Sequence, residues 1–175
     1  MNACAPRRWR SAEGLRDEAP RLPPGSASIE TKYTIAMRFV DTNVLLYSVS
    51  TDPEESGKAE TAAELLGHPD LALSVQVLQE FYVQATHSRR RNGLSSEDAL
   101  ALIKTWLRYP VKETTTDLVQ AAAACARERQ ISYWDAAIVE AARALGCTQI
   151  LTEDLNDGQD YGGVVAVNPF TARNV

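Results

Sequence analysis

Four carboxylates stand where chemistry could be done. Asp41 follows the apolar run Phe39-Val40, Glu80 is interleaved in Val77-Leu78-Gln79-Glu80-Phe81, Asp135 comes just after Ser132-Tyr133-Trp134, and Asp154 follows Ile150-Leu151-Thr152-Glu153. Gathered at one place, such acids would repel one another and raise their own pKa values unless a cation neutralised them. A divalent metal answers that need. Carboxylate and water ligands point to Mg²⁺ or Mn²⁺, hard ions that keep several waters and work on phosphates. Each acid also has a plain structural use: Asp41 as an Asx-turn or helix N-cap, Asp135 and Asp154 as caps, Glu80 on a partly exposed helix face.

The elements that must position these acids can be read from periodicity and punctuation. A buried strand ends at Val40 and delivers Asp41 to a sheet edge, where ligands of open α/β sheets sit. Asp52-Pro53-Glu54-Glu55 opens a helix to about Leu66 with Ala59, Ala62, Ala63 and Leu66 facing inward, and Gly67-His68-Pro69 stops it. Leu71-Ala72-Leu73 is a short buried strand. Ser74 then caps a helix that carries Val77, Leu78, Phe81, Tyr82 and Ala85 on one side, which places Glu80 near the core boundary. Ser95 to Asp98 opens another helix, closed by Pro110, and Val111-Lys112-Glu113 reads as a short strand. Thr116-Asp117 starts an Ala-rich helix to about Arg129, and Ser132 caps a further helix that Gly146 ends. Gln149 to Thr152 and Val164 to Val167 complete the strands. This alternation predicts an α/β fold with a mostly parallel central sheet and helices on both faces, so that strand ends and helix first turns share one crevice.

A chain of 175 residues, 45% hydrophobic and 23% charged, suits one soluble domain with a buried core. Residues 1 to 36 carry arginines and the tract Pro20-Arg21-Leu22-Pro23-Pro24-Gly25-Ser26 without a sustained period. They are expected to be a disordered extension ahead of a domain at 37 to 175, with Met37 as an alternative start. The net charge of -5 argues against a broad non-specific nucleic-acid coat but allows a local basic patch, such as Arg89, Arg90 and Arg91. Cys4, Cys125 and Cys147 share no zinc or disulfide spacing. The lack of a long apolar run or a signal-like start predicts a cytoplasmic protein that does not engage a membrane.

The segments Phe39-Val40-Asp41-Thr42-Asn43-Val44-Leu45, Leu78-Gln79-Glu80-Phe81, Ser132-Tyr133-Trp134-Asp135-Ala136-Ala137-Ile138 and Ile150-Leu151-Thr152-Glu153-Asp154-Leu155-Asn156-Asp157-Gly158 occur in an order that resembles the PIN-domain ribonucleases. The resemblance runs from about 37 to 170 and is closest to the VapC-type toxins of bacterial toxin-antitoxin modules. It implies a PIN-like three-layer fold and puts Asp41, Glu80, Asp135 and Asp154 on the family's four acidic, metal-holding catalytic positions. Asp157 becomes a fifth acid for the metal, and Asn43 and Thr152 fall on polar supporting positions. The activity implied is endoribonuclease cleavage by a metal-activated water with Mg²⁺ or Mn²⁺. The implied partners are an RNA substrate, a cognate antitoxin and a second copy of the chain. RNA would also need positive rim contacts, for which Arg89, Arg90, Arg91 and Lys112 are the candidates.

Two other readings remain open on the residues. An Asp after a first strand also begins haloacid-dehalogenase-like phosphatases, but that chemistry wants a second Asp two positions on, where this chain has Asn43. A non-catalytic RNA-binding module on the same fold is the other, since fold does not fix function. The two apolar stripes between about 77 and 107 are either core or a homodimer surface.

Overall fold

Phe39 and Val40 are fully buried, and the sheet is laid out around the strand that holds them. The computed structural model describes residues 36–87 and 93–171. Five strands, β1 (Arg38–Val40), β2 (Leu71–Ser74), β3 (Val111–Lys112), β4 (Gln149–Leu151) and β5 (Val165–Val167), form one sheet in the order β3-β2-β1-β4-β5. Every pairing is parallel, with Phe39 opposite Ala72 on one side and Ile150 on the other. All four residues of β2 are buried, the mark of a parallel strand covered on both faces.

From β1 the chain passes through α1 (Thr42–Tyr47), a 3-10 turn (Pro53–Glu55) and α2 (Ser56–Leu65) to β2, then through α3 (Val75–Ala85) and α4 (Ser96–Trp106) to β3. It returns through α5 (Thr116–Arg129) and α6 (Tyr133–Ala144) to land on the far side of β1. Right-handed crossovers therefore put α1 to α4 on one face and α5 and α6 on the other. α6 packs against β2, β3 and β4, and α5 against α6. The reversal of direction makes the gap between the carboxyl ends of β1 and β4 a topological switch point, where α/β sheets open a crevice.

Most helix starts sit where their caps predict. Ser74, Ser95, Thr115 and Ser132 each accept a backbone N–H from the first turn of α3, α4, α5 and α6. Two details differ from the sequence reading, and one alternative left open there is resolved. Thr42–Tyr47 is a helix, with Val44 and Leu45 buried, where only an apolar run was expected. α2 starts later than Asp52 because Pro53–Glu55 winds as a 3-10 turn, and its inward side holds Ala62 and Leu66 while Ala63 is exposed. The apolar stripes of α3 and α4 go to the core of the chain: Val77, Leu78, Phe81, Ala85, Ala99 and Trp106 are buried, with the Phe81 and Trp106 rings edge to face at 4.6 Å. What those helices leave exposed is Val83, Leu100 and Leu107.

The extension expected at 1 to 36 falls, all but its last residue, outside the described residues, as do Arg89, Arg90 and Arg91. Among the described residues no helix is long and apolar enough to cross a membrane.

Candidate active site

The carboxyl ends of β1 and β4 deliver Asp41 and Thr152 side by side. Asp41 is 6% exposed and Thr152 fully buried. Asp41 Oδ1 accepts from Thr42 N at 2.6 Å, which caps α1, and its Oδ2 accepts from Thr152 Oγ1 at 2.6 Å. The cap role and the site role of Asp41 thus coexist. Thr152 Oγ1 in turn accepts from Asp154 N at 3.1 Å, which turns the chain after β4 so that Asp154 comes to the same edge.

Asn43 ties these groups together. Its Nδ2 lies 3.2 Å from Asp41 Oδ2, 3.1 Å from Thr152 Oγ1 and 3.1 Å from Asp154 Oδ2. Three oxygen acceptors around Nδ2 fix which way the amide faces. Its Oδ1 is buried without a hydrogen-bond partner among the described residues.

The other two acids arrive on helices from opposite faces of the sheet. Glu80, on α3, accepts from Thr42 Oγ1 at 3.0 Å through Oε2 and from Gln84 Nε2 at 2.9 Å through Oε1. Asp135 stands in the first turn of α6, where Ser132 Oγ accepts its N–H at 3.1 Å and donates to its Oδ2 at 2.8 Å. A carboxylate in that first turn also lies at the positive end of the helix dipole.

All four acids line one cavity of about 130 Å³, together with Asn43, Gln76 and Trp134, and no lysine or arginine is among its described lining residues. Burial pushes the Asp41 carboxyl up to about 6, the Asp154 and Glu80 charges add to that, and the bonds from Thr152 and Thr42 N oppose it. The donor set is all oxygen, it is negative, and one buried carbonyl oxygen beside it has no donor; this fits a hard divalent cation. Among the described residues, no three His, Cys, Asp or Glu side chains are grouped closely enough to ligate one ion together.

Two predicted residues stand apart from this cavity. Asp157 is not brought to it: its Oδ1 accepts from Asn168 N at 2.8 Å and holds the exit of β5. Lys112 lies on the edge strand β3, paired with Ser74, and does not line the cavity.

The sequence reading missed Thr42, whose bond to Glu80 spans 38 positions and leaves no local signal. It also passed over Trp134, although an aromatic beside an acid in a capped first turn was a visible cue. Glu153, next to Asp154, points elsewhere: Lys58 Nζ donates to its Oε2 at 2.5 Å, and Tyr47 OH donates to its Oε1. Burial alone would raise the Glu153 carboxyl, but the Lys58 and Tyr47 bonds hold it below its ordinary value.

This fold has known counterparts. A profile of the PIN domain matches residues 38–156. None of the curated proteins matches by sequence. Among solved structures, Mycobacterium tuberculosis VapC20, a Sarcin-Ricin loop cleaving toxin, is 24% identical, with a TM-score of 0.53 over 67% of this chain and 91% of its own. A toxin-antitoxin complex from Klebsiella pneumoniae is 19% identical, with a TM-score of 0.56 over 75% of this chain and 97% of that one. DNA-bound VapBC from Salmonella typhimurium is 20% identical, with a TM-score of 0.52 over 75% and 97%. The likeness to these structures is one of fold, and the profile match covers well over half of the sequence. The chain belongs to the PIN domain family.

Proposed function

We propose that this chain is a metal-dependent endoribonuclease and the toxin of a toxin-antitoxin pair. The observation that carries this reading is the convergence of Asp41, Glu80, Asp135 and Asp154 on one cavity at the switch point of the sheet. Four acids lining one cavity with no basic residue among its described lining cost stability, so a cation is the simplest reason for a fold to keep them there. Mg²⁺ or Mn²⁺, when bound, supplies positive charge for a phosphodiester and makes a water acidic enough to attack it.

The chain's own residues hold the reacting groups in place. Asn43 joins Asp41 to Asp154, Thr42 ties in Glu80, and Ser132 fixes Asp135, so each carboxylate has at least one oriented neighbour. A buried carboxylate whose pKa is pushed to about 6 is also a stronger proton acceptor at neutral pH than an ordinary aspartate. In this reading Arg89, Arg90, Arg91 and Lys112 contact RNA phosphates, and Asp157 positions the loop behind Asp154. The assembly that goes with it is a cytoplasmic homodimer held by a cognate antitoxin. Two of the solved relatives named above, described as a toxin-antitoxin complex and as VapBC, support that partner.

The phosphatase alternative loses its main requirement, because Asn43 donates to Asp41 where an acid/base would be needed. The non-catalytic alternative is answered by assay. Purified chain is incubated with total RNA and, separately, with a small phosphomonoester, each with Mg²⁺, with Mn²⁺ and with chelator. RNA cleavage that needs metal, without phosphatase activity, is expected. Intact RNA in every metal condition would overturn the proposal.

A further inference from the structure

We propose that Trp134 is a stacking platform for an unpaired nucleobase next to the phosphodiester that is cut, an inference that rests on the ribonuclease reading above. Trp134 is 65% exposed, the most exposed large apolar side chain among the described residues. One exposed aromatic is ordinary on a protein surface. What singles this one out is its place: it lines the cavity of the four acids and directly precedes Asp135.

The indole is also held. Tyr133 packs edge to face against it, with ring centroids 5.3 Å apart and ring planes at 76°. The Trp134 carbonyl accepts from Gln76 Nε2 at 3.4 Å, which ties the first turn of α6 to the start of α3. An aromatic fixed from behind and open in front loses little freedom when a flat partner lands on it.

Charge explains why such a contact is needed. The cavity has acids but no lysine or arginine among its described lining residues, and the chain carries a net charge of -5. Among the described residues, the cavity lining therefore offers a phosphate backbone no positive side chain. A base face on an indole is independent of charge and tolerant of sequence. It requires an unpaired base, because a duplex keeps its base faces stacked inside.

The test separates stacking from chemistry. Binding is measured by fluorescence polarisation with a short labelled single-stranded oligonucleotide whose methylphosphonate links are uncharged and resist hydrolysis, and with the same probe carrying abasic positions throughout. Trp134→Ala should weaken binding of the base-bearing probe by about tenfold or more, Trp134→Phe should keep most of it, and the abasic probe should bind parent and Trp134→Ala alike. In parallel, Mg²⁺-dependent cleavage of ordinary RNA should show KM raised by a similar factor with kcat much less changed. Circular dichroism of Trp134→Ala should match the parent, because the side chain is mostly outside the core. Equal binding of the base-bearing probe by parent and Trp134→Ala overturns the platform. Trp134-dependent binding in a protein that cuts no RNA would keep the platform and overturn the nuclease reading instead. Unaltered RNA binding with lost association to a protein partner would assign Trp134 to that partner and overturn the proposal.

Discussion

Thr152 Oγ1 donates to Asp41 Oδ2 at 2.6 Å across 111 positions of sequence, between two buried side chains at the ends of neighbouring strands. The bond crosses the switch point of the sheet and favours the ionised form of Asp41 against the pull of burial. Thr152→Val keeps the shape and removes the hydroxyl. A hydrogen bond to a charged group contributes roughly 1.5–3 kcal/mol, so a loss of about 2 kcal/mol in denaturant unfolding at pH 8 is expected. The acid limb of kcat/KM should move to higher pH. An unmoved limb would mean that Thr152 does not hold the charge of Asp41.

Asp41 also sets a pH dependence of stability whose sign is unusual for an aspartate. Its pKa is raised from 3.8 to about 6, so between those values the folded chain binds more protons than the unfolded one. Stability therefore falls as pH rises through that window. The gap, at about 1.36 kcal/mol per pH unit, corresponds to about 3 kcal/mol at most. In metal-free buffer, Asp41→Asn should be more stable than the parent at pH 8, and the difference should shrink as pH falls below 6 towards 4. Denaturation midpoints of the two proteins across pH 4–8 measure it; a constant difference would contradict the burial of that charge.

Metal should offset the same cost. A ligand bound only by the folded state adds about 2.7 kcal/mol at a hundredfold excess over Kd. Thermal melts with rising Mg²⁺ or Mn²⁺ should climb for the parent and stay nearly flat for Asp41→Asn. A parent curve that stays flat into the millimolar range would show that the acids do not form a cation site on their own.

Adjacent acids should separate cleanly. Glu153 pairs with Lys58 and Tyr47, whereas Asp154 meets Asn43 at the acid cavity. Glu153→Gln should cost under about 1 kcal/mol, since Lys58 is partly exposed and such pairs contribute little. Cleavage should fall by less than about threefold, against a hundredfold or more for Asp154→Asn, given about 1.36 kcal/mol per tenfold in rate. Equal losses in both variants would place Glu153 in the reaction.

These contrasts also mark how far the sequence could be read. Helix starts were legible because Ser74, Ser95 and Ser132 are side-chain caps with a local signature. The helix at Thr42–Tyr47 was not, because six residues rich in Val, Leu and Tyr are too short to show a 3.6-residue period. Asp41, Glu80, Asp135 and Asp154 stood out because strand ends and helix first turns meet at one edge of a parallel sheet. Asp157 looked equivalent along the chain, yet its carboxylate holds a backbone N–H at Asn168, a choice set by how the loop folds back. The bond from Thr42 to Glu80 and the orphaned Asn43 Oδ1 depend on packing between distant segments and have no counterpart in local sequence.

The central claim is that these acids hold a cation for phosphodiester cleavage, and Asp41→Asn tests it most directly. The change keeps size and a carbonyl oxygen for the Thr42 cap, so the fold is retained while one negative charge leaves the site. Parent and variant with matching circular dichroism are followed on total RNA with Mg²⁺ or Mn²⁺ and with chelator. The account predicts metal-dependent cleavage by the parent and a fall of about a hundredfold or more in the variant, the rate equivalent of about 2.7 kcal/mol. Asp41→Asn cutting as fast as the parent, or the parent cutting equally well in chelator, would contradict it.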